Sequence, residues 1–228
     1  MKKQLLCGLL AASLLPAANA ALIKSYDFDG DLTDTLGNGA NLISSGGTVG
    51  SGAYSFAANQ GLRLTSALPN TTTYGIEINF RVTDSTGGFN KIIDFQDLAS
   101  DIGLYVRSGS LDFYTAGPTA GTILLNTDYT VGLARSAGFV ELFLDGVSLF
   151  SVADGGQAIS ATNVLNFFED DHRTGQGESF AGSVDFIRIH DDSSTFGTAP
   201  AAVPAPATLW LMGLGLAGIS FSRRKNLA

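Results

Sequence analysis

The chain has 228 residues, of which 21 are Asp or Glu and 13 are Lys or Arg. Every acidic residue lies between Asp27 and Asp192, whereas five of the basic ones lie in the two terminal segments, so the central part carries a net charge of −13. A field of that sign repels nucleic acid and anionic lipid head groups, which excludes a DNA- or RNA-binding protein. Because the only cysteine is Cys7, the central part has no disulfide and no cysteine-based metal site.

The N-terminal segment, residues 1–20, has the composition of a secretory signal peptide. It begins with Lys2 and Lys3, continues as an apolar stretch, and ends with Ala18 and Ala20 in A-x-A spacing. A lipoprotein signal around Cys7 is the less favoured interpretation, because a bulky leucine precedes the cysteine and almost no apolar stretch lies before it. The segment predicts export.

Residues 21–191 have the pattern of an all-β domain. They are rich in Gly, Thr, Ser and Asp, they contain no helical stripe of three turns, and apolar and polar residues alternate in short runs. A dozen short strands at turn-punctuated spacing predict a two-sheet antiparallel sandwich or jelly roll. Strands are expected near residues 23–28, 53–57, 61–65, 74–82, 89–95, 102–107, 110–115, 129–135, 139–144, 147–152, 162–168 and 183–190.

Two hairpins follow from their turns. Asp145-Gly146 separates residues 139–144 from 147–152, and Gly supplies the positive φ that a two-residue loop needs. A Ser108-Gly109 loop places the alternate residues of 102–107 and 110–115 on two different faces. Leu104, Val106, Leu111 and Phe113 share one face, and Tyr105, Arg107, Asp112 and Tyr114 share the other.

The C-terminal part divides into three segments. Residues 192–206 are rich in Pro, Ala and Ser and predict an extended linker. Residues 207–222 form an uncharged apolar run, which predicts a transmembrane helix that anchors the domain to the membrane. Residues 223–228 contain Arg223, Arg224 and Lys225, which the positive-inside rule places in the cytoplasm.

These segments resemble a known sorting signal. Val203, Pro204, Ala205 and Pro206, followed by the apolar run and the basic end, are similar to the PEP-CTERM motif of Gram-negative, exopolysaccharide-producing bacteria, also known as the ice-binding protein C-terminal domain. The resemblance implies recognition by an exosortase and release or attachment at the cell surface or in the extracellular matrix. Ala205 stands where the family usually has Glu, which puts the efficiency of processing in question.

The domain itself resembles LamG-like, concanavalin A-like lectin and glucanase jelly rolls. The matching segments, in chain order, are residues 26–31 with Asp34 and 37–39, then 74–80, 140–146 and 180–189. The resemblance implies binding of glycans, proteins or calcium, with glucanases among the relatives.

The carboxylates argue against a hydrolase. Retaining glucanases place two carboxyl groups about 5 Å apart on one glycosidic bond, and no E-x-D-x-x-E run exists here. The four glutamates, Glu77, Glu141, Glu169 and Glu178, lie singly on different segments. We therefore predict no enzymatic activity, with a glycan hydrolase as an alternative.

Calcium is the expected cofactor, because a hard cation needs several oxygen ligands and the chain has 17 aspartates. The first set of predicted ligands is Asp27, Asp29 and Asp185. Because Asp185 shares a strand face with Ile187 and Ile189, its carboxylate is expected to point toward the core. The second set is Asp170, Asp171 and Glu178, in a glycine-containing loop. Ordinary turn chemistry, backbone N–H partners and a solvated acidic loop are the alternatives.

For glycan, the predicted platform is the sheet face with Tyr105, Arg107, Asp112 and Tyr114, where rings stack on sugars and charged groups bind hydroxyls. A solvent-facing polar sheet is the alternative. The sequence thus predicts an exported, non-catalytic module that binds extracellular polysaccharide. A structural or adhesive matrix protein without glycan specificity is the other alternative.

Overall fold

The structure is a computed structural model, and it describes residues 20–173 and 175–194. In that part the chain is all-β and contains no helix. The fourteen strands are β1 (Leu22–Tyr26), β2 (Ile43–Ser44), β3 (Thr48–Gly50), β4 (Ala53–Phe56), β5 (Leu62–Thr65), β6 (Tyr74–Val82), β7 (Phe89–Asp94), β8 (Gly103–Arg107), β9 (Ser110–Tyr114), β10 (Asp128–Ser136), β11 (Phe139–Leu144), β12 (Val147–Ala153), β13 (Val164–Phe167) and β14 (Gly182–His190).

The strands form two antiparallel sheets. The eight-stranded sheet has the order β12, β11, β10, β6, β14, β4, β3, and β1 also pairs with β14. The six-stranded sheet has the order β2, β5, β13, β7, β8, β9. The predicted all-β, two-sheet antiparallel fold is confirmed, and β2 and β3 are short strands that the sequence pattern did not predict.

The core lies between the two sheets and follows from period-two alternation. On β6, the side chains of Tyr74, Ile76, Ile78, Phe80 and Val82 are at most 1% exposed. Facing them, the six-stranded sheet contributes the predicted apolar face of the β8–β9 hairpin, whose four side chains are fully buried: Leu104, Val106, Leu111 and Phe113. Because both inner faces are apolar and both outer faces are mainly polar, any function has to lie on an outer face, an edge or the loops.

One buried ion pair connects the eight-stranded sheet to the loop after β12. The Arg135 guanidinium donates to the Asp154 carboxylate over 2.7 Å, and both side chains are at most 3% exposed. Burial opposes ionisation of Asp154, but the hydrogen bond from Arg135 and those from two backbone N–H groups hold its pKa below the usual range. The pair therefore keeps this loop against the end of β10.

The predicted terminal segments fall almost entirely outside this part. Residues 1–19 of the signal peptide, residues 195–206 of the linker, the predicted helix 207–222 and the basic end 223–228 lie outside the described residues. Within residues 20–173 and 175–194, no helix is long and apolar enough to cross a membrane.

The close approach of β6 to β14 gives a test of the packing. A Cβ added at Gly182 would overlap the carbonyl oxygen of Arg81 and lie 3.1 Å from the ring of Phe56, whereas a Cβ at Gly50 meets nothing within 4 Å. We expect Gly182→Ala to lower the free energy of unfolding by about 1–3 kcal/mol, because a rigid backbone neighbour has to move. Gly50→Ala is the matched control and should stay within about 0.5 kcal/mol of wild type in chemical denaturation. An equal loss of stability in the two variants would contradict the close approach of β6 to β14 at Gly182.

Candidate functional site

The N-terminal aspartates predicted as calcium ligands are engaged in local structure. The Asp27 carboxylate accepts hydrogen bonds from the hydroxyls of Ser25 at 3.1 Å and Thr35 at 2.9 Å. It also lies 3.8 Å from the guanidinium of Arg188. Asp29 is exposed in the turn that follows β1.

Asp185 points away from the core, so its expected inward orientation is wrong. A β-bulge in β14 interrupts the pairing with β6 between Val184 and Phe186. Val184, Ile187 and Ile189 consequently all face the core, and the extra residue, Asp185, is exposed. The prediction assumed that residues two apart in β14 share a face, and the one inserted residue interrupts that alternation.

The second predicted set, Asp170, Asp171 and Glu178, lies around a buried lysine. The ammonium of Lys91, which is fully buried, is 3.1 Å from the Asp171 carboxylate, 3.4 Å from that of Asp170 and 3.9 Å from that of Asp94. It also donates to the carbonyl of Ser100 over 3.1 Å. An internal cation thus compensates the buried carboxylates of this loop.

A second bulge makes this arrangement possible. Lys91 and Asp94 are three residues apart and would point to opposite faces of a regular strand. In β7 the register shifts between Lys91 and Ile93, so that Ile92 and Ile93 both lie in the core and Lys91 and Asp94 share the outer face. The sequence pattern did not reveal this lysine as part of the acidic cluster.

The carboxylates of the cluster differ in proton affinity. Burial raises the pKa of Asp94. Burial opposes ionisation of Asp171, but hydrogen bonds from Asp101, a backbone N–H and Lys91 hold its pKa well below the usual range. The hydrogen bond that Asp101 makes to Asp171 raises the pKa of Asp101, and burial raises the pKa of Glu178. The Lys91 ammonium therefore offsets part of the negative charge that these carboxylates bring together.

These two sets fit a calcium ion poorly. Within residues 20–173 and 175–194, no group of three or more His, Cys, Asp or Glu side chains is arranged to hold a metal ion. In the first set, the Asp27 carboxylate already accepts hydrogen bonds from two hydroxyls, and in the second set the carboxylates of Asp170 and Asp171 surround an ammonium group. Calcium binding stays a prediction of the sequence.

The predicted glycan platform is covered. The register of the β8–β9 hairpin is as expected, with Tyr105 opposite Asp112 and Arg107 opposite Ser110. However, Tyr105 is fully buried and Asp112 is 2% exposed. The loop after β13 runs along β7, and its carboxylates Asp170, Asp171 and Glu178 lie close to the Tyr105 hydroxyl. Tyr105 is therefore not accessible for stacking against a sugar.

Only the rim of that platform reaches solvent. Arg107 is exposed, donates to the Asp112 carboxylate over 3.1 Å and lies 4.6 Å from the ring centre of Phe89. Tyr114 is half-buried, with its ring 5.5 Å from that of Phe89 in an edge-to-face contact. Their role as ligand-binding residues stays a prediction.

An open cleft lies on the outer face of the eight-stranded sheet. It has a volume of about 90 Å³ and is lined by Ala134, Ser136, Phe139, Glu141, Ser151 and Ser193. Phe139 is 52% exposed, although it is a large apolar residue. The Glu141 carboxylate accepts a hydrogen bond from the Ser148 hydroxyl at 2.5 Å, which holds it at the surface. The cleft combines a ring, a carboxylate and three serine hydroxyls.

A third bulge assembles this cleft. In the β11–β12 hairpin, Phe143 pairs with Ser148, but Leu142 pairs with Phe150, so Leu149 is the extra residue. The shift places Glu141 opposite Ser151. An unbroken two-residue hairpin would have placed an aromatic residue there, so sequence patterning alone missed the cleft. The exposed Phe139 at the start of β11 is the one signal that a search for surface aromatics would have found.

The rest of this outer face is charged and polar. The Arg188 guanidinium lies 3.5 Å from the Glu77 carboxylate and 3.8 Å from the ring centre of Phe186. Arg81 forms a two-point ion pair with Asp128 on the neighbouring strand, and both side chains are exposed. This face therefore offers hydrogen-bonding groups and two aromatic rings to solvent.

Comparison with known proteins identifies the C-terminal segment. Residues 202–225 match the family model of the PEP-CTERM protein-sorting motif. The motif indicates export, sorting to the cell surface and processing by an exosortase. A search of curated protein sequences found no significant match to the chain.

Solved structures with a similar fold are carbohydrate-active proteins and a toxin domain. Domain 4 of AbnA, a GH43 extracellular arabinanase from Geobacillus stearothermophilus, in complex with arabinotriose, has a TM-score of 0.59 at 17% identity over 78% of this chain and 96% of that domain. Trypanosoma rangeli sialidase in complex with 2,3-difluorosialic acid has a TM-score of 0.60 at 14% identity over 80% of this chain, which spans 32% of the sialidase. The binding domain of Paraclostridial Mosquitocidal Protein 1 has a TM-score of 0.57 at 14% identity over 75% of this chain and 49% of that one. At these sequence identities, the similarity shows a shared β-sandwich fold only.

The Lys91 cluster predicts a large effect of a single substitution. Lys91→Met removes the ammonium and leaves buried carboxylates uncompensated, so we expect the free energy of unfolding to fall by about 3–5 kcal/mol. Arg81→Met breaks a solvent-exposed pair instead and should lower the free energy of unfolding far less. Chemical denaturation of both variants measures the difference. A Lys91→Met protein as stable as Arg81→Met would show that the cluster is not held by the lysine.

A chelator tests the calcium prediction against this geometry. Because Asp27 is engaged with two hydroxyls and a guanidinium, and because the second set already surrounds an ammonium, we expect the same melting temperature in EDTA and in calcium chloride. Thermal melts in both buffers measure it. A melting temperature that rises with calcium and falls with EDTA would confirm the calcium prediction.

Proposed function

We propose that this chain is an exported cell-surface or matrix protein whose β-sandwich binds extracellular glycan without catalysing a reaction. The cleft on the eight-stranded sheet carries the proposal. Its exposed Phe139 ring offers an apolar face to the C–H groups of a sugar, while Glu141 and the serines offer partners for hydroxyl groups. A shallow, open cleft of this kind suits part of a long polymer better than an enclosed small molecule.

Two further observations support the proposal. The sorting motif at residues 202–225 directs the chain to the cell surface, where polysaccharide is abundant. The arabinanase domain of similar fold was solved in complex with arabinotriose, a short glycan, and this chain covers 96% of that domain. The LamG-like and lectin resemblance of the sequence points the same way.

Charge narrows the class of glycan. The central part has a net charge of −13, and the only ionisable side chain among the lining residues of the cleft is the carboxylate of Glu141. Uronic acid and sulfated polymers would therefore be repelled. The preferred ligand is a neutral, hydroxyl-rich polysaccharide.

The same cleft supports a binding role rather than hydrolysis. Glycosidases need two carboxyl groups on opposite sides of the glycosidic bond, and the cleft is lined by one. A structural or adhesive protein without glycan specificity and a hydrolase remain the alternatives, and each predicts a different result below.

Titration of the intact, detergent-solubilised chain with neutral oligosaccharides, including arabinotriose, tests the proposal. We expect Phe139→Ala to weaken binding roughly two- to tenfold, because the stacking surface is lost. Leu124→Ala is the matched control, since it removes an equally exposed apolar side chain elsewhere, at 58% against 52% exposure. Tyr114→Ala distinguishes the cleft from the rim of the covered platform and should leave affinity unchanged.

Three outcomes would contradict the proposal. Retention of no glycan on an array would favour the structural alternative. A loss of affinity in Tyr114→Ala with none in Phe139→Ala would move the site to the six-stranded sheet. Release of shorter sugars at a rate that Glu141→Gln abolishes would make the protein a hydrolase.

A further inference from the structure

We propose that the side chains of Lys91 and Asp171 join in an intramolecular isopeptide bond, an amide between Nζ of the lysine and Cγ of the aspartate. The bond ties strand β7 covalently to the loop after β13, between residues 80 apart in the chain. The inference is independent of the proposed glycan binding, since it concerns the outer face of the six-stranded sheet and not the cleft.

The two reacting groups are adjacent and shielded from solvent. Nζ of Lys91 lies 3.1 Å from Oδ2 of Asp171, and both side chains are fully buried. The ring centre of Tyr105 lies 5.2 Å from the same nitrogen, so an aromatic ring forms part of the surrounding wall. Groups held at such a distance in a fixed orientation react with effective concentrations of roughly 10⁵–10⁸ M. Proximity of this kind allows an amine and a carboxyl group of one chain to condense.

Burial favours the amide over the ion pair. An ammonium and a carboxylate that are both removed from water each lose a large free energy of hydration. Condensation converts these two charges into one neutral amide and releases one water molecule, so that cost is removed. In bulk water the separated ions are favoured instead, because both are fully hydrated.

The step balances without an oxidant, a reductant or a co-reactant. One proton leaves the Lys91 ammonium, and the lone pair of the resulting amine attacks Cγ of Asp171. The Nζ–Cγ bond forms and the Cγ–Oδ2 bond breaks. Oδ2 departs as water with two of the three ammonium protons, and the third proton stays on the amide nitrogen.

Neighbouring groups are positioned for each part of this step. The backbone N–H of Arg173 donates to Oδ1 of Asp171 over 2.7 Å, which stabilises the negative charge that develops on that oxygen during the attack. The Asp170 carboxylate lies 3.4 Å from Nζ of Lys91, so it is placed to carry a proton from the nitrogen to the leaving oxygen. The backbone N–H groups of Asp171 and Glu178 each donate to Asp170 over 2.8 Å and fix its orientation.

The other carboxylates near Lys91 have hydrogen-bond donors besides the ammonium. Asp170 has the two backbone N–H groups just described. Asp94 accepts from the backbone N–H of Leu98 over 2.8 Å and from that of Gln96 over 3.1 Å. These donors remain in place when the ammonium becomes an amide.

A covalent tie would take the place of a disulfide in this domain. The sorting motif indicates export, and exported domains are commonly stabilised by disulfides. The only cysteine of this chain, Cys7, lies in the predicted signal peptide. A bond between residues 80 apart restricts the unfolded chain in the same way as a disulfide that closes a long loop.

Tryptic peptide mapping of the intact chain, purified in detergent and unfolded before digestion, tests the proposal. Trypsin does not cut after an acylated lysine, so we expect residues 82–107 to remain uncut at Lys91 and to be linked to residues 136–173. The linked pair should have the summed mass of the two peptides less one water, and fragmentation should locate the link at Lys91 and Asp171. Neither peptide contains cysteine, so a disulfide cannot account for such a link.

Lys24 is the matched control within the same digest. It is also buried, at 7% exposure, but its ammonium donates to the backbone carbonyls of Ser66 and Ala67. Trypsin should therefore cut completely after Lys24. Asp171→Ala should be cut after Lys91 and should have the full mass of its sequence in that region, because the acceptor carboxyl group is gone. Asp170→Asn should contain mostly unlinked chain, because the proton carrier is lost.

Complete cleavage after Lys91 in the wild-type chain overturns the proposal, and this result does not depend on any variant that has to fold. A link from Lys91 to Asp170 or Asp94 overturns the assignment to Asp171. Loss of water without linked peptides indicates a succinimide and also overturns the proposal. A fully linked Asp170→Asn chain overturns the role of Asp170 as proton carrier. Covalent linkage is the measured quantity because a change in stability does not separate the ion pair from the bond.

Discussion

The positive charge of one buried lysine has to be compensated by nearby carboxylates. This requirement determines how the outer face of the six-stranded sheet is built. The Lys91 ammonium is fully buried, and its ion pair with Asp171 joins residues 80 apart in the chain. An unpaired charge in that position would be strongly destabilising, so the loop after β13 has to stay on the sheet. The loop then covers Tyr105, whose ring centre lies 5.2 Å from the Lys91 ammonium. The Tyr105 face of the six-stranded sheet is therefore part of the packed structure, and the accessible polar face is that of the eight-stranded sheet.

Bulges determine which residues reach that accessible surface. The one in β7 brings Lys91 and Asp94 to the same face, the one in β14 exposes Asp185, and the one in β12 sets Ser151 beside Glu141. Each inserts a single residue into a two-residue repeat and so exchanges the faces of everything beyond it. The candidate cleft and the outward orientation of Asp185 have this common cause.

The eight-stranded sheet therefore carries the feature on which the proposed function depends. Its outer face holds the cleft with Phe139, and its free edge is β12, which contributes Ser151 to the same cleft. Ser193, which lies near the end of the described residues, also lines the cleft.

The sequence by itself determined the all-β class, twelve of the fourteen strands, the buried face of β6 and the sorting motif, because each depends on local periodicity or on a contiguous motif. It did not determine which outer face is open or which carboxylates come together. Those depend on bulges, on a lysine that pairs with a distant loop, and on that loop covering Tyr105. Such contacts join residues far apart in the chain, and a single inserted residue reverses the face of a strand, so only the tertiary structure decided them.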